Sequence, residues 1–105
     1  MINFINLTNH TVNEMVSGRT IPPSGRRATV KTSKTTLRTV DGAPIYRTRV
    51  STVDGLPDPR EGTMYIVSSL VHNRVPRERQ DVVSPGNTQR NENGDIVGCL
   101  GFKQL

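Results

Sequence analysis

Tryptophan is absent from this chain of 105 residues, and two Tyr and two Phe supply all of its rings. Aromatic side chains carry much of the apolar area that a small domain buries, so the core must be small. With 32% apolar residues, a monomer has little to set against the conformational entropy lost on folding, which favours a homo-oligomer that completes its core between subunits. Cysteine is almost missing as well. Cys99 stands alone, which excludes an intrachain disulfide and leaves no material for a cysteine-built zinc site, so no metal or other cofactor is expected. No apolar run approaches the roughly 20 residues that span a bilayer, and Met1-Ile2-Asn3-Phe4 lacks the basic and long apolar regions of a signal peptide. The expectation is a soluble, cytoplasmic protein of a single domain, residues 1–105, with no membrane partner.

Catalytic motifs are missing too. His10 and His72 are the only histidines, and neither belongs to a metal-binding motif of the His-Glu-x-x-His type. There is no Gly-rich phosphate loop with its Lys and Ser/Thr, and the acids Asp54, Asp58, Glu61, Glu78, Asp81, Glu92 and Asp95 fall mostly in turns with no spacing that pairs them. Cys99, between Gly98 and Leu100, sits in an apolar strand pattern and reads as a small core residue rather than a nucleophile. The chain reads as a binding protein, not an enzyme.

What is present is arginine and threonine. The net charge is +5, and 11 of the 14 basic residues are Arg. A guanidinium presents a planar donor fork that fits phosphate oxygens and stacks on a base, whereas an ammonium is a point charge, so an Arg excess suits nucleotides. Arg is also an ordinary surface residue, and a solvated face explains many of these positions. Thr recurs with Val and Ile in short alternating runs bounded by Gly, Pro, Asn or Asp, which is strand composition. The fold class expected is mainly β: a small antiparallel sheet or barrel-like domain with one short helix after the central strand.

Strands are expected at Ile2 to Leu7 and Thr11 to Val16, joined as a hairpin through Asn9-His10. Pro22-Pro23 demands a loop or a sheet edge. Arg27 to Lys31 and Leu37 to Val40 flank a polar turn at Ser33-Lys34-Thr35, and Asp41-Gly42 turns into a long strand from Ile45 to Val53. Alternation places Ile45, Arg47 and Arg49 on one face of that strand and Tyr46, Thr48 and Val50 on the other. Thr63 to Val67 is nearly all apolar or β-branched and reads as a central strand buried on both faces. Ser68 then caps a helix of about two turns that Pro76 ends. Asp81 to Val83 reads as a brief strand, and Asn93-Gly94 joins Thr88 to Glu92 with Asp95 to Phe102.

The start of the helix is the candidate site. Free N–H groups there attract anions, and the Ser68 and Ser69 hydroxyls add donors, although plain N-capping by Ser68 also accounts for that serine. Arg77, Arg79 and Arg90 follow closely, with Thr88 between them, and would neutralise a phosphate; Arg79 beside Asp81 reads more simply as an ion pair that orders its loop. Tyr46, or an arginine such as Arg47, would stack on a base.

Asn6-Leu7-Thr8 with His10 and Val12, Ile21-Pro22-Pro23-Ser24-Gly25, Gly55-Leu56-Pro57, Gly62-Thr63, Tyr65-Ile66-Val67-Ser68, and Asp81-Val82-Val83 with Pro85-Gly86 together resemble a family of small proteins common in bacteriophages and actinobacteria. The resemblance spans nearly the whole chain and implies a phage or prophage setting, with no activity to transfer. In general type such a protein is similar to phage anti-defence sponges, which sequester cyclic-nucleotide or ADP-ribose signals. The leading expectation is a sponge that holds a small phosphate-containing nucleotide without cleaving it. Basic nucleic-acid binding, from the pI of about 10.1, and a non-catalytic virion or assembly role are the alternatives.

Overall fold

The computed structural model describes residues 2–105, and the chain is mainly β with one short helix, as its composition predicts. Three open sheets form, and none closes into a barrel. The central one has the order β1 (Asn3–Asn6), β6 (Thr63–Ile66), β7 (Val82–Pro85), β10 (Phe102–Lys103). A second has the order β3 (Arg19–Ile21), β2 (Val12–Glu14), β9 (Ile96–Cys99), β8 (Thr88–Arg90). The third is a two-stranded ribbon of β4 (Thr32–Val40) and β5 (Ala43–Val50).

β6 carries the core, as its run of apolar residues predicts. Tyr65 and Val67 face a cluster with Leu7, Ala28, Val71, Val75 and Val82, while Ile66 faces the other way, onto Val12, Ile21, Val83 and Cys99. Side chains alternate along a strand, so a strand apolar at every position is stable only between two layers. Here the layers are the helix and the loops around Ala28 on one side and the second sheet on the other. Each fully buried aliphatic side chain contributes about 1.5–3 kcal/mol. Tyr65 also finds a polar partner, its hydroxyl donating to the Asp58 carbonyl at 3.2 Å.

Several local expectations are corrected. β1 and β2 are not a hairpin: β1 runs parallel to β6, and β2 lies in the second sheet between β3 and β9. β7 is also parallel to β6, so the middle of the central sheet is parallel and only its β10 edge antiparallel. β1 is drawn to β6 because that pairing closes the core over Leu7, whose N–H donates to the Ile66 carbonyl at 2.8 Å. Ser33-Lys34-Thr35 is not a turn; these residues lie within β4 opposite Arg49, Thr48 and Arg47. They contain no Gly, Asn or Pro to reverse the chain, whereas Asp41 and Gly42, with φ of 48° and 81°, adopt the paired positive values of a tight hairpin turn.

The helix α1 (Ser69–His72) is a single turn, with Ser68 at its N-cap. Beyond it the N–H groups of Arg74 and Val75 bond three residues back, to Val71 and His72, and this tighter turn carries Val75 into the core before Pro76. The final strand is broken at Gly101, where φ of 87° swings β10 out of the second sheet and onto β7. Among the described residues no helix is long and apolar enough to cross a membrane.

Candidate functional site

The three parallel strands β1, β6 and β7 deliver their carboxyl ends to one side of the central sheet, where a cleft of about 560 Å³ opens against the second sheet. Ligands favour the carboxyl ends of parallel strands because successive loops diverge there and leave a crevice. Thr8, His10 and Thr11 enter from the loop after β1, Ser68 and Ser69 from the end of β6, and Pro85 from the end of β7. The opposite wall comes from β2, β8 and β9: Val12 and Asn13, Thr88, and Ile96 through Cys99.

Asn6 builds the first of these loops. It is buried, and its amide group donates to the carbonyls of His10 at 2.9 Å and Ile21 at 3.0 Å. Its oxygen accepts from the N–H of Thr8 at 2.9 Å and the Thr8 hydroxyl at 2.6 Å. Asn6 thereby meets its full hydrogen-bonding capacity without water, and the loop is fixed in shape. The Thr8 hydroxyl proton is spent inside the loop, so toward the cleft Thr8 is an acceptor.

Ser68 accepts from the Val71 N–H at 3.3 Å, the ordinary N-cap bond, and keeps its own proton free to donate. Ser69, Thr11 and Thr88 are exposed, and their hydroxyls make no hydrogen bond among the described residues. On the wall that Thr88 shares, Ile96 and Val97 present apolar surface at 61% and 42% exposure. Asn13 braces this wall by donating to the Val97 carbonyl at 3.3 Å. At Gly98 an added Cβ would lie 2.8 Å from the Met15 sulfur and 2.9 Å from the Asn13 carbonyl, so only glycine lets β2 and β9 approach this closely.

Of the residues expected to bind ligand, Ser68, Ser69 and Thr88 converge on this cleft and the others do not. Arg79 is committed elsewhere: it makes a two-bond ion pair with Asp81 at 3.0 Å and donates to the Pro57 carbonyl at 2.8 Å. Hydrogen bonding within this pair raises the guanidinium further above its usual range and lowers the Asp81 carboxyl. Arg90 donates to the Gly94 carbonyl at 2.7 Å, bracing its own hairpin, and Arg77 lies on an exposed turn outside the cleft lining. Tyr46 and Arg47 stand on β5, on opposite faces of the ribbon. These arginines thus serve different parts of the fold, Arg79 bracing the connectors ahead of β7 in the central sheet and Arg90 the β8–β9 hairpin of the second.

The residues missed by sequence reasoning are Thr11, Asn13, Ile96 and Val97, together with any ligand role for Thr8 and His10. The polar run Thr8-Asn9-His10-Thr11 directly after an apolar strand was the available signal, but it points to a site only once β1 is known to run parallel to β6.

The titratable side chains of the cleft are His10 and Cys99. Burial, and secondarily the Glu14 carboxylate, pushes the Cys99 thiol up, away from a reactive thiolate. Among the described residues no three His, Cys, Asp or Glu side chains gather closely enough to hold a metal ion. The arrangement offers hydroxyl donors and acceptors along one wall, and an apolar strip beside Thr88 along the other. Comparison with protein-family models, with curated proteins and with solved structures finds no match to this chain.

Proposed function

We propose that the protein binds and retains a small nucleotide-type signal, of the cyclic-nucleotide or ADP-ribose class, in this cleft without cleaving it. It acts as an anti-defence sponge in the cytoplasm of a phage-infected cell and works as a homo-oligomer. The observation that carries this reading is the free hydroxyl protons of Ser68, Ser69 and Thr11 facing a wall where the apolar strip of Ile96 and Val97 lies beside the Thr88 hydroxyl. That pairing suits a ligand with a polar, oxygen-rich side and a flat apolar side, and the volume lies within the range of about 300–1,000 Å³ common for small-molecule sites. Sugar and phosphate oxygens are met by hydroxyls, not by Arg77, Arg79 or Arg90. Retention without turnover is in keeping with the Cys99 thiol of the lining, which burial holds away from a reactive thiolate. Association of subunits is supported by the low apolar content of the chain, 32% of its residues, which leaves a lone subunit a small core.

The test is a thermal-shift screen of the purified protein against cyclic dinucleotides and cyclic ADP-ribose isomers, with ligand released by heat and identified by mass spectrometry. Stabilisation with intact ligand recovered, reduced at least about tenfold in affinity by Ser69→Ala with Thr88→Val, is the expected result. A chemically changed product overturns retention, and the absence of any shift across the panel overturns the ligand class.

A further inference from the structure

The β4–β5 ribbon is an exception to everything in the body of the molecule. Every residue from Thr32 to Arg49 is exposed, and the two strands pair only with each other. The radius of gyration is 16.6 Å, against about 13 Å for a compact chain of this length, and the long dimension is 57 Å. A nine-residue strand spans about 30 Å, so the ribbon is an arm that projects well beyond the body.

Its root is anchored. Thr29 and Asp54 exchange backbone hydrogen bonds at 2.9 and 2.8 Å, and Ser51 donates to Lys31 at 2.9 Å. Lys31 in turn donates to the Ser51 hydroxyl at 2.8 Å, and Arg74 reaches from beyond the helix to the Val50 carbonyl at 3.0 Å. The arm is therefore held out from a fixed base.

Its charge is one-sided. Within 32–50 lie Lys34, Arg38, Arg47 and Arg49 against the single acid Asp41 at the tip, which gives the arm +3 of the chain's net +5. Cross-strand register puts Arg47 and Arg49 on one face opposite Thr35 and Ser33, with Arg38 opposite Ile45 on the same side. None of these cations forms a salt bridge among the described residues, where the one such bridge is Arg79–Asp81. The rest of the chain is itself basic, at +2, so another copy offers no acidic surface overall to match the arm.

We propose that the arm binds double-stranded DNA through its sugar–phosphate backbone. A two-stranded β-ribbon is the width that a major groove admits, and a span of about 30 Å covers most of one helical turn. Arg38, Arg47 and Arg49 neutralise phosphates from one face, and the hydroxyls of Ser33 and Thr35 between them donate to phosphate oxygens. Such contacts position the protein without reading sequence. The proposal stands apart from the cleft and does not depend on its ligand.

The experiment is fluorescence anisotropy of the full-length protein with a mixed-sequence DNA duplex of about 20 base pairs, roughly two turns, across a salt series. Binding should weaken with salt at a log–log slope of about −3, from about 0.9 per neutralised phosphate. R47Q/R49Q should reduce that slope by about 2, with its circular dichroism and melting temperature unchanged. R26Q/R77Q, at two exposed arginines in loops of the body, removes the same charge from outside the arm and should leave the slope near its original value. The proposal is overturned if the wild type does not bind at low salt, or if the two double variants lose affinity equally. It is also overturned if R47Q/R49Q dissociates an oligomer in sedimentation while leaving DNA binding as it was, which would make a second copy the occupant of the arm.

Discussion

β6 and the β4–β5 arm are both rich in strand-forming residues, yet one ends with Tyr65 and Ile66 fully enclosed and the other with no side chain enclosed. In β6 the residues between the Thr at its start and the serines beyond it are apolar, so β1 and β7 pair with its edges while the helix with its loops and the second sheet cover its two faces. In the arm Thr, Ser, Lys and Arg alternate with scattered apolar residues, so no face can close over a core, and backbone pairing with the sister strand is all that remains. Strand propensity sets local extension; apolar density decides whether the strand joins the body. An isolated two-stranded hairpin is marginal in water, and here a tight turn at Asp41-Gly42 and an anchored root hold the arm in place.

The contrast is tested most severely by truncation in β6. Ile66→Ala should cost about 2–5 kcal/mol, since Ile66 is fully buried between the sheets, and urea denaturation should show a populated unfolded state or none of the native one. Next in size is Gly55→Ala. Gly55 has φ of 84°, and an added Cβ would strike the Arg27 carbonyl, so the connector leading to β6 has no room for a side chain. A loss of about 2–3 kcal/mol is expected by the same measurement.

Polar groups in the body divide it from the arm as sharply as apolar ones. His72 is buried and its Nδ1 shares a 2.7 Å hydrogen bond with the buried Ser84 hydroxyl, so Ser84→Ala should cost about 1–3 kcal/mol by leaving the imidazole unpartnered. Burial, aided by the charge of Lys103, lowers the His72 pKa. The unfolded chain therefore takes up this proton first, and the His72 contribution is complete above pH 6.5 and is lost as pH falls through the lowered value. Glu14 acts in a second window. Its carboxylate is held down at about 2 by the hydroxyl and N–H of Ser17 and the N–H of Val16, with the Gly101 N–H from the β9–β10 junction as a further donor at 2.8 Å. Its folded pKa is depressed, so its contribution is complete above pH 4.5 and lost toward pH 2. Melting temperature against pH should show both declines, and Glu14→Gln should remove the lower one.

The body was more legible in the sequence than the pairing within it. Met64 to Val67 announced a doubly buried strand, Ser68 its helix cap and Asp41-Gly42 a tight turn, because each follows from local chemistry. Parallel pairing of β1 with β6 bridges some 60 residues and leaves no local mark, so the cleft at their ends was half seen: Ser68, Ser69 and Thr88 were in view, Thr11, Asn13 and Val97 were not. Arg77, Arg79 and Arg90 were grouped by sequence distance alone, and sequence distance is a poor guide where each strand reverses or crosses between sheets. The arm was misread for a related reason. Three polar residues look like a turn when a strand is expected to be half-buried, and Ser33-Lys34-Thr35 belong to one that is buried on neither face.

The smallest effect is expected on the arm, and it completes the contrast. Lys34 places its ammonium 4.9 Å from the centre of the Tyr46 ring, the one aromatic contact of the ribbon, on the face opposite Arg47 and Arg49. Both side chains are in water, where a cation–π contact is worth about 0.5–1 kcal/mol, and the hairpin already has its backbone ladder. Tyr46→Ala should therefore shift the urea midpoint by little more than the error of the fit, while hydrogen exchange of the Thr36 and Thr48 amides accelerates locally. If Tyr46→Ala instead lowered global stability as Ile66→Ala does, the arm would have to be packed on something in solution, and the division of the molecule into an enclosed body and a free ribbon would fail. A local response with an unchanged global midpoint means that the arm folds on the body's foundation without adding to it, which leaves its surface free to be selected for what it touches.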